Sequence, residues 1–129
     1  MSGAGVLDAN AAFYRAVEQA DVDAMAAVWD DGDVVCVHPG HPALRGRSSV
    51  LRSWSAVMAG TGSIHFLLTE VSVTEDGDTA VVTCTENILS SGASGGDAVG
   101  AVVATNVFRR RPGGWRLAVH HASPLLVQP

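Results

Sequence analysis

The chain changes its hydrophobic period partway along. From residue 8 the apolar positions Phe13, Ala16, Val17 and Ala20 recur at i, i+3, i+4 and i+7, the spacing of one helix face, with Asp8 placed to cap it. Asp21-Val-Asp23 interrupts that pattern, and Asp23 can cap a short second helix that sets Met25, Val28 and Trp29 to one side. Asp30-Asp-Gly-Asp33 reads as a turn, and Val34-Val-Cys-Val-His38 as a short apolar strand. His38-Pro-Gly-His-Pro42 cannot be helical and reads as a turn. A third helix follows Gly46, capped by Ser48, with Val50, Leu51, Trp54, Val57 and Met58 as its apolar stripe, and Gly60-Thr-Gly62 ends it. Beyond that point the period is two. Strands are expected at Ile64–Thr74, Thr79–Leu89, Val99–Arg111 and Trp115–Ser123. Glu75-Asp-Gly-Asp78, the Ser90–Asp97 stretch of small residues and Pro112-Gly-Gly114 serve as turns or loops between them.

The order helix, helix, strand, helix, then four consecutive strands predicts an α+β domain with a mostly antiparallel sheet. Strands of about 11 residues exceed the usual length, which points to a strongly curved sheet wrapped around the helices. The chain has 129 residues, the size of one domain, with its core at about residues 8–125. Apolar types make up 47% and charged types 16%, which excludes a disordered chain.

Charge and cysteine usage narrow the class further. The net charge is −5, all eight basic residues are arginine, and no basic stretch exceeds Arg109-Arg-Arg111, so nucleic acid is not an expected partner. Those three arginines read as a solvated hairpin end. No apolar run reaches the ~20 residues of a membrane span, and the first residues have no signal-peptide pattern, so a cytoplasmic protein is expected. Cys36 and Cys84 fall in strand-like runs and read as buried thiols; no CxxC is present.

The candidate chemistry lies where polar side chains interrupt apolar rows. Ala80, Val82, Cys84, Glu86 and Ile88 share one strand face; Val102, Ala104, Asn106 and Phe108 share another; Trp115, Leu117, Val119, His121 and Ser123 share a third. An unpaired polar group in such a row costs ~1–3 kcal/mol, and a charge more, so these groups need one another, water or a ligand. Glu86 and His121 are therefore the candidate acid–base pair, with His38, Trp54, Asn106 and Ser123 as candidate ligand contacts. A metal site is not expected, because His120 and His121 are adjacent on a strand and point to opposite faces. No glycine-rich phosphate loop precedes a helix, so no nucleotide cofactor is expected.

The element order, together with Gly114-Trp-Arg-Leu-Ala-Val-His-His-Ala-Ser123 and Val37-His-Pro-Gly40, resembles the SnoaL-like family of the nuclear-transport-factor-2-like (NTF2-like) superfamily, which also contains ketosteroid isomerases and scytalone dehydratases. The resemblance implies a conical α+β barrel of cystatin-like type with an open pocket, and a homodimer formed through the sheet. The outer face expected for that contact carries Val81, Thr83, Thr85, Val103, Thr105, Val107, Ala118 and His120. The Tyr–Asp pair of the isomerases has no match, since the single tyrosine is Tyr14 on the first helix. Two functions follow as expectations. One is a cofactor-free isomerase, dehydratase or cyclase-like enzyme acting on a small apolar carbonyl or hydroxyl compound. The other is a non-catalytic ligand-binding or accessory module.

Overall fold

A computed structural model describes residues 3–92 and 97–126. Helices α1 (Gly3–Glu18) and α2 (Val22–Val28) form a hairpin, and strands β1 (Val35–Val37) and β2 (Leu44–Arg45) lead into α3 (Arg47–Gly60). Four long strands follow: β3 (Thr61–Asp76), β4 (Thr79–Gly92), β5 (Asp97–Arg111) and β6 (Gly114–Pro124). All six strands form one open sheet in the order β2-β1-β6-β5-β4-β3. Neighbouring strands are antiparallel except β1 and β6, which run parallel. The helices cover one face, so the fold is the α+β, curved-sheet architecture expected.

Local details differ from the sequence reading for identifiable reasons. Asp21, not Asp23, caps α2: its carboxylate accepts from the Ala24 amide at 3.0 Å. Helix α3 starts at Arg47, one residue ahead of Ser48. The two-residue β2 falls in a stretch to which the sequence pattern assigns no element, and pairs Leu44 with Cys36. Ser90 and Ser91 continue the ladder against Ala98 and Asp97, so the expected loop is shorter; residues 93–96 lie outside the described residues. Gly77, at φ 61°, occupies the first position of the two-residue β3–β4 turn, a conformation glycine adopts without strain.

Besides a register shift between Thr61 and Ser63 at the start of β3, two bulges shape the middle of the sheet. In β3 the register shifts between Thr69 and Ser72, where Glu70 takes φ 53°. In β6 Leu117 pairs with Phe108 and Val119 with Val107, so Ala118 is an extra residue. A bulge turns the strand and reverses which residues face inward beyond it. Leu117 is buried on one side of it, and Ala118, His120 and Ala122 are buried on the other.

The core lies between the concave sheet face and the helices. Phe13 and Val17 of α1, Met25 of α2, and Val50, Trp54 and Met58 of α3 pack on Ala80, Val82, Ala104, Phe108 and Leu117 of the sheet. The exit of α2 is pinned by a buried carboxylate. Asp30, 2% exposed, accepts from Arg109 at 2.9 Å and from Arg111 Nε and guanidinium nitrogen at 2.7 Å each. These arginines, chiefly Arg111, hold the Asp30 carboxyl well below the usual carboxylate range. Arg109 and Arg111 are thus not merely a solvated turn. Arg47 closes the same corner by donating to the Ala26 and Trp29 carbonyls at the end of α2, 2.8 Å each.

Replacing Asp30 with Asn removes the charge while keeping the size. Loss of its charge-assisted bonds, to arginines that are partly solvent-screened, is expected to lower stability by roughly 2 kcal/mol, read as a lower urea midpoint at unchanged slope.

Candidate functional site

The inner face of α1 brings polar side chains onto the sheet. Asn10, Phe13, Tyr14 and Val17 follow i, i+3, i+4 and i+7, and all four are buried. Tyr14 reaches β4, where its hydroxyl lies 2.6 Å from Glu86 Oε2 and 3.6 Å from Cys84 Sγ. Asn106 of β5 places its amide nitrogen 2.8 Å from Asn10 Oδ1 and 3.1 Å from the Tyr14 hydroxyl. Its oxygen lies 2.6 Å from His120 Nδ1 on β6. Glu86, Asn106 and His120 are 4%, 0% and 3% exposed.

Donor counting fixes the direction of this network. Tyr14 has one proton, and the neighbouring carboxylate takes it, so the phenolic oxygen accepts from Asn106. The Asn106 amide then spends both N–H groups on Asn10 and Tyr14. Its oxygen can only accept, so the proton of the neutral His120 ring sits on Nδ1. The network is directed from His120 through Asn106 and Tyr14 to Glu86.

Burial sets the titration of the two ends. It pushes the Glu86 carboxyl up to about 7, although the Tyr14 hydrogen bond favours the charged form. It pulls His120 down to about 3, with the nearby His38 and His121 rings adding to the effect, so His120 is neutral at physiological pH. Burial likewise raises the Tyr14 phenol, with the Glu86 charge reinforcing it. A carboxyl that changes protonation near neutrality beside a fixed phenol is a group able to move protons.

The structure separates the sequence-predicted residues. Glu86 and Asn106 face inward and belong to the network. His121 and Ser123 are exposed on the outer face, because the Ala118 bulge reverses the parity of β6, so the pairing of Glu86 with His121 is corrected. His120 stands in the place expected for His121, and His120 and Ala118 are removed from the outer face. Tyr14 and Asn10 were missed; their helical spacing with Phe13 and Val17 was the available signal. Cys36 and Cys84 are free and buried.

Trp54 and His38 lie beside the network. The Trp54 ring contacts His120 at 5.8 Å and His38 at 4.8 Å between centroids. Its buried indole nitrogen has no hydrogen-bond partner, although it lies beside the Cys36 thiol. His38 is half-buried on the wall of a pocket of about 560 Å³ between the β1–β2 connection and α3. Glu86, Asn106 and His120 do not line that pocket. Among the described residues no group of three His, Cys, Asp or Glu side chains is arranged to hold a metal ion, and no helix is long and apolar enough to cross a membrane.

The curved sheet with three helices on its concave face is the NTF2-like, cystatin-like fold. Within it the chain belongs to the SnoaL-like family, whose SnoaL-like domain model matches residues 6–127. Among solved structures it is similar to a candidate dehydratase of the NTF2-like family from Streptomyces avermitilis, 49% identical over 95% of each chain with a TM-score of 0.92. It is also similar to a ketosteroid isomerase-like protein from Erwinia carotovora atroseptica, 26% identical over 98% of this chain and 96% of that one, TM-score 0.80. A candidate calcium/calmodulin-dependent protein kinase type II association domain from Thiobacillus denitrificans is 35% identical over 91% and 92% of the two chains, TM-score 0.78. The F-box protein SKIP8 of Arabidopsis thaliana is 26% identical over 123 residues; these are 95% of this chain, which spans 50% of that protein's length.

The two buried titrating groups make opposite demands on pH. Glu86 has its ordinary value of 4.5 raised to about 7, so the stability of its neutral form is present below 4.5 and lost as pH rises through 7. His120 has 6.5 lowered to about 3, so its contribution is present above 6.5 and lost as pH falls through 3. Glu86→Gln is expected to match the parent near pH 4.5 and gain on it up to pH 7, by at most roughly 3 kcal/mol, then stay level. Urea unfolding at a series of pH values checks this; a pH-independent difference contradicts it.

Proposed function

We propose that this chain is a cofactor-free acid–base enzyme of the isomerase or dehydratase kind, acting on a small, mostly apolar carbonyl or hydroxyl compound. The observation that carries the reading is the Glu86 carboxyl, buried, raised to about 7 and held 2.6 Å from the Tyr14 hydroxyl. Near neutral pH such a group is present in both protonation states. It can take a proton from the carbon next to a carbonyl and deliver it elsewhere on the substrate, giving isomerisation. In dehydration the same abstraction accompanies loss of the β-hydroxyl, which leaves as water after gaining a proton. With both Asn106 N–H groups engaged by Asn10 and Tyr14, the Trp54 indole N–H is the donor proposed to serve a substrate oxygen. Trp54, in contact with both His38 and His120, stands at the boundary a substrate in the pocket would cross. The likeness to a candidate dehydratase and to a ketosteroid isomerase-like protein supports this class.

A second reading, a non-catalytic ligand-binding or accessory dimeric module, is favoured by one observation. The network satisfies its own donors within the chain, as a structural core network does. In either reading we propose a homodimer through the convex sheet face, where Val81, Thr83, Thr85, Thr105, Val107 and Val119 are half-buried and Val103 is 38% exposed. Sedimentation of the parent is expected to give a dimer and of Val103→Lys a monomer; a monomeric parent at micromolar concentration contradicts it.

The two functional readings part on Glu86→Gln. A panel of small β-hydroxy ketones and unconjugated enones, followed by the ultraviolet absorbance of the conjugated product, provides the assay. The enzyme reading expects turnover by the parent and a ~100-fold or greater loss in Glu86→Gln with ligand affinity little changed. Equal rates in parent and variant overturn it.

A further inference from the structure

The pocket between the β1–β2 connection and α3 holds a pair of side chains that the Glu86 chemistry does not use. Pro42, Leu44, Ala56 and Val57 are among its apolar walls, and His38, His41 and Ser53 are its polar side chains. The Ser53 hydroxyl lies 2.6 Å from His38 Nε2. Cys36 Sγ lies 3.8 Å from the same nitrogen. Burial pushes the Cys36 thiol up to about 12, so it keeps its proton. With the ring proton on Nδ1, the tautomer this chemistry requires, Nε2 accepts from the Ser53 hydroxyl. Burial, reinforced by His41, holds His38 below the ordinary imidazole value, so the ring is neutral. The Trp54 ring packs against the imidazole edge to face, 4.8 Å between centroids. A hydroxyl donating to an oriented, neutral imidazole at the wall of an apolar pocket has the arrangement of an activated nucleophile.

We propose that Ser53 is a nucleophile activated by His38, and that this pocket takes small, largely apolar carboxylic esters. Ser53 Oγ bonds to the ester carbonyl carbon while its proton passes to His38 Nε2. The carbon–oxygen bond to the alcohol breaks, and the departing alkoxide takes that proton, leaving the acyl group on Ser53. Water then attacks the acyl carbon, giving a proton to His38. The Ser53 oxygen leaves and recovers the proton, and the carboxylic acid is released. No redox partner or cofactor enters the balance, and the proposal stands independently of the role given to Glu86.

The test uses the full chain with p-nitrophenyl butyrate near neutral pH. The expected result is a burst of p-nitrophenolate, with one butyryl group per chain found by mass spectrometry on the peptide containing Ser53. Ser53→Ala is expected to abolish the adduct and lower the hydrolysis rate ~100-fold, and His38→Gln to lower it similarly. His65→Ala, on an exposed histidine of β3, is expected to keep the parental rate and controls for simple imidazole catalysis. An adduct on His41 instead of Ser53, or a Ser53→Ala rate within about twofold of the parent, overturns the proposal. Should Ser53→Ala not fold by circular dichroism, labelling of the parent by an alkyl fluorophosphonate decides: modification of Ser53 supports the assignment, and an unmodified Ser53 overturns it.

Discussion

The interior of this protein is organised around one carboxylate that an apolar sheet has taken out of water. Glu86 is 4% exposed in a strand row that otherwise buries Ala80, Val82 and Cys84. An unpaired charge there would cost several kcal/mol, so the group must be neutralised, hydrogen-bonded or both. The chain does both in part: burial raises the carboxyl to about 7, and Tyr14 supplies a donor from the facing helix. Tyr14 can give its only proton to Glu86 because Asn106 donates to its oxygen. Asn106 is in turn oriented by Asn10 and His120. One polar interruption thus links α1, β4, β5 and β6, and a substitution at any member leaves another with an unmet bond.

Curvature makes that linkage possible. A flat sheet of such long strands would spread its polar residues beyond the reach of one helix. The bulges at Thr69/Ser72 and at Ala118 bend the strands, and the second turns His120 inward to meet Asn106. The opposite corner is held by different physics. Asp30 between Arg109 and Arg111, with Arg47 on the carbonyls that end α2, fixes where the helical hairpin meets β5. The position of α1 over the network depends on that anchor, because α2 is its immediate partner in the hairpin.

The architecture was legible because it is written in periods. Helical spacing at Phe13–Ala20 and Val50–Met58 and strand alternation after Ile64 fix the order of elements, and that order selects the fold. Glu86 and Asn106 were legible for the same reason, each being a lone polar residue in an unbroken alternating row. His120 was not. Leu117-Ala-Val119 is apolar at every position, so the sequence carries no mark of where the extra residue sits, and one inserted residue exchanges His121 for His120. Tyr14 was placed on the first helix and given no role, since its partner is 72 positions away. Tertiary partners of this kind are invisible to local spacing, although the face Tyr14 shares with Asn10 and Phe13 is not.

The fold alone leaves the chemistry open, as the range of its relatives shows: a candidate dehydratase, a ketosteroid isomerase-like protein and a candidate kinase association domain all share it. What distinguishes this chain is how its polar groups are divided. Tyr14, Glu86, Asn106 and His120 are buried and do not line the pocket, whereas His38 and Ser53 border open space. Trp54 lies between the two sets, touching His120 on one side and His38 on the other with its indole nitrogen lacking a partner. A buried donor left unmet at such a boundary costs ~1–3 kcal/mol, and a ligand oxygen placed against it would recover part of that cost. Trp54 thus joins the buried network to the pocket wall through ring contacts alone, with His120 on one side and His38 on the other.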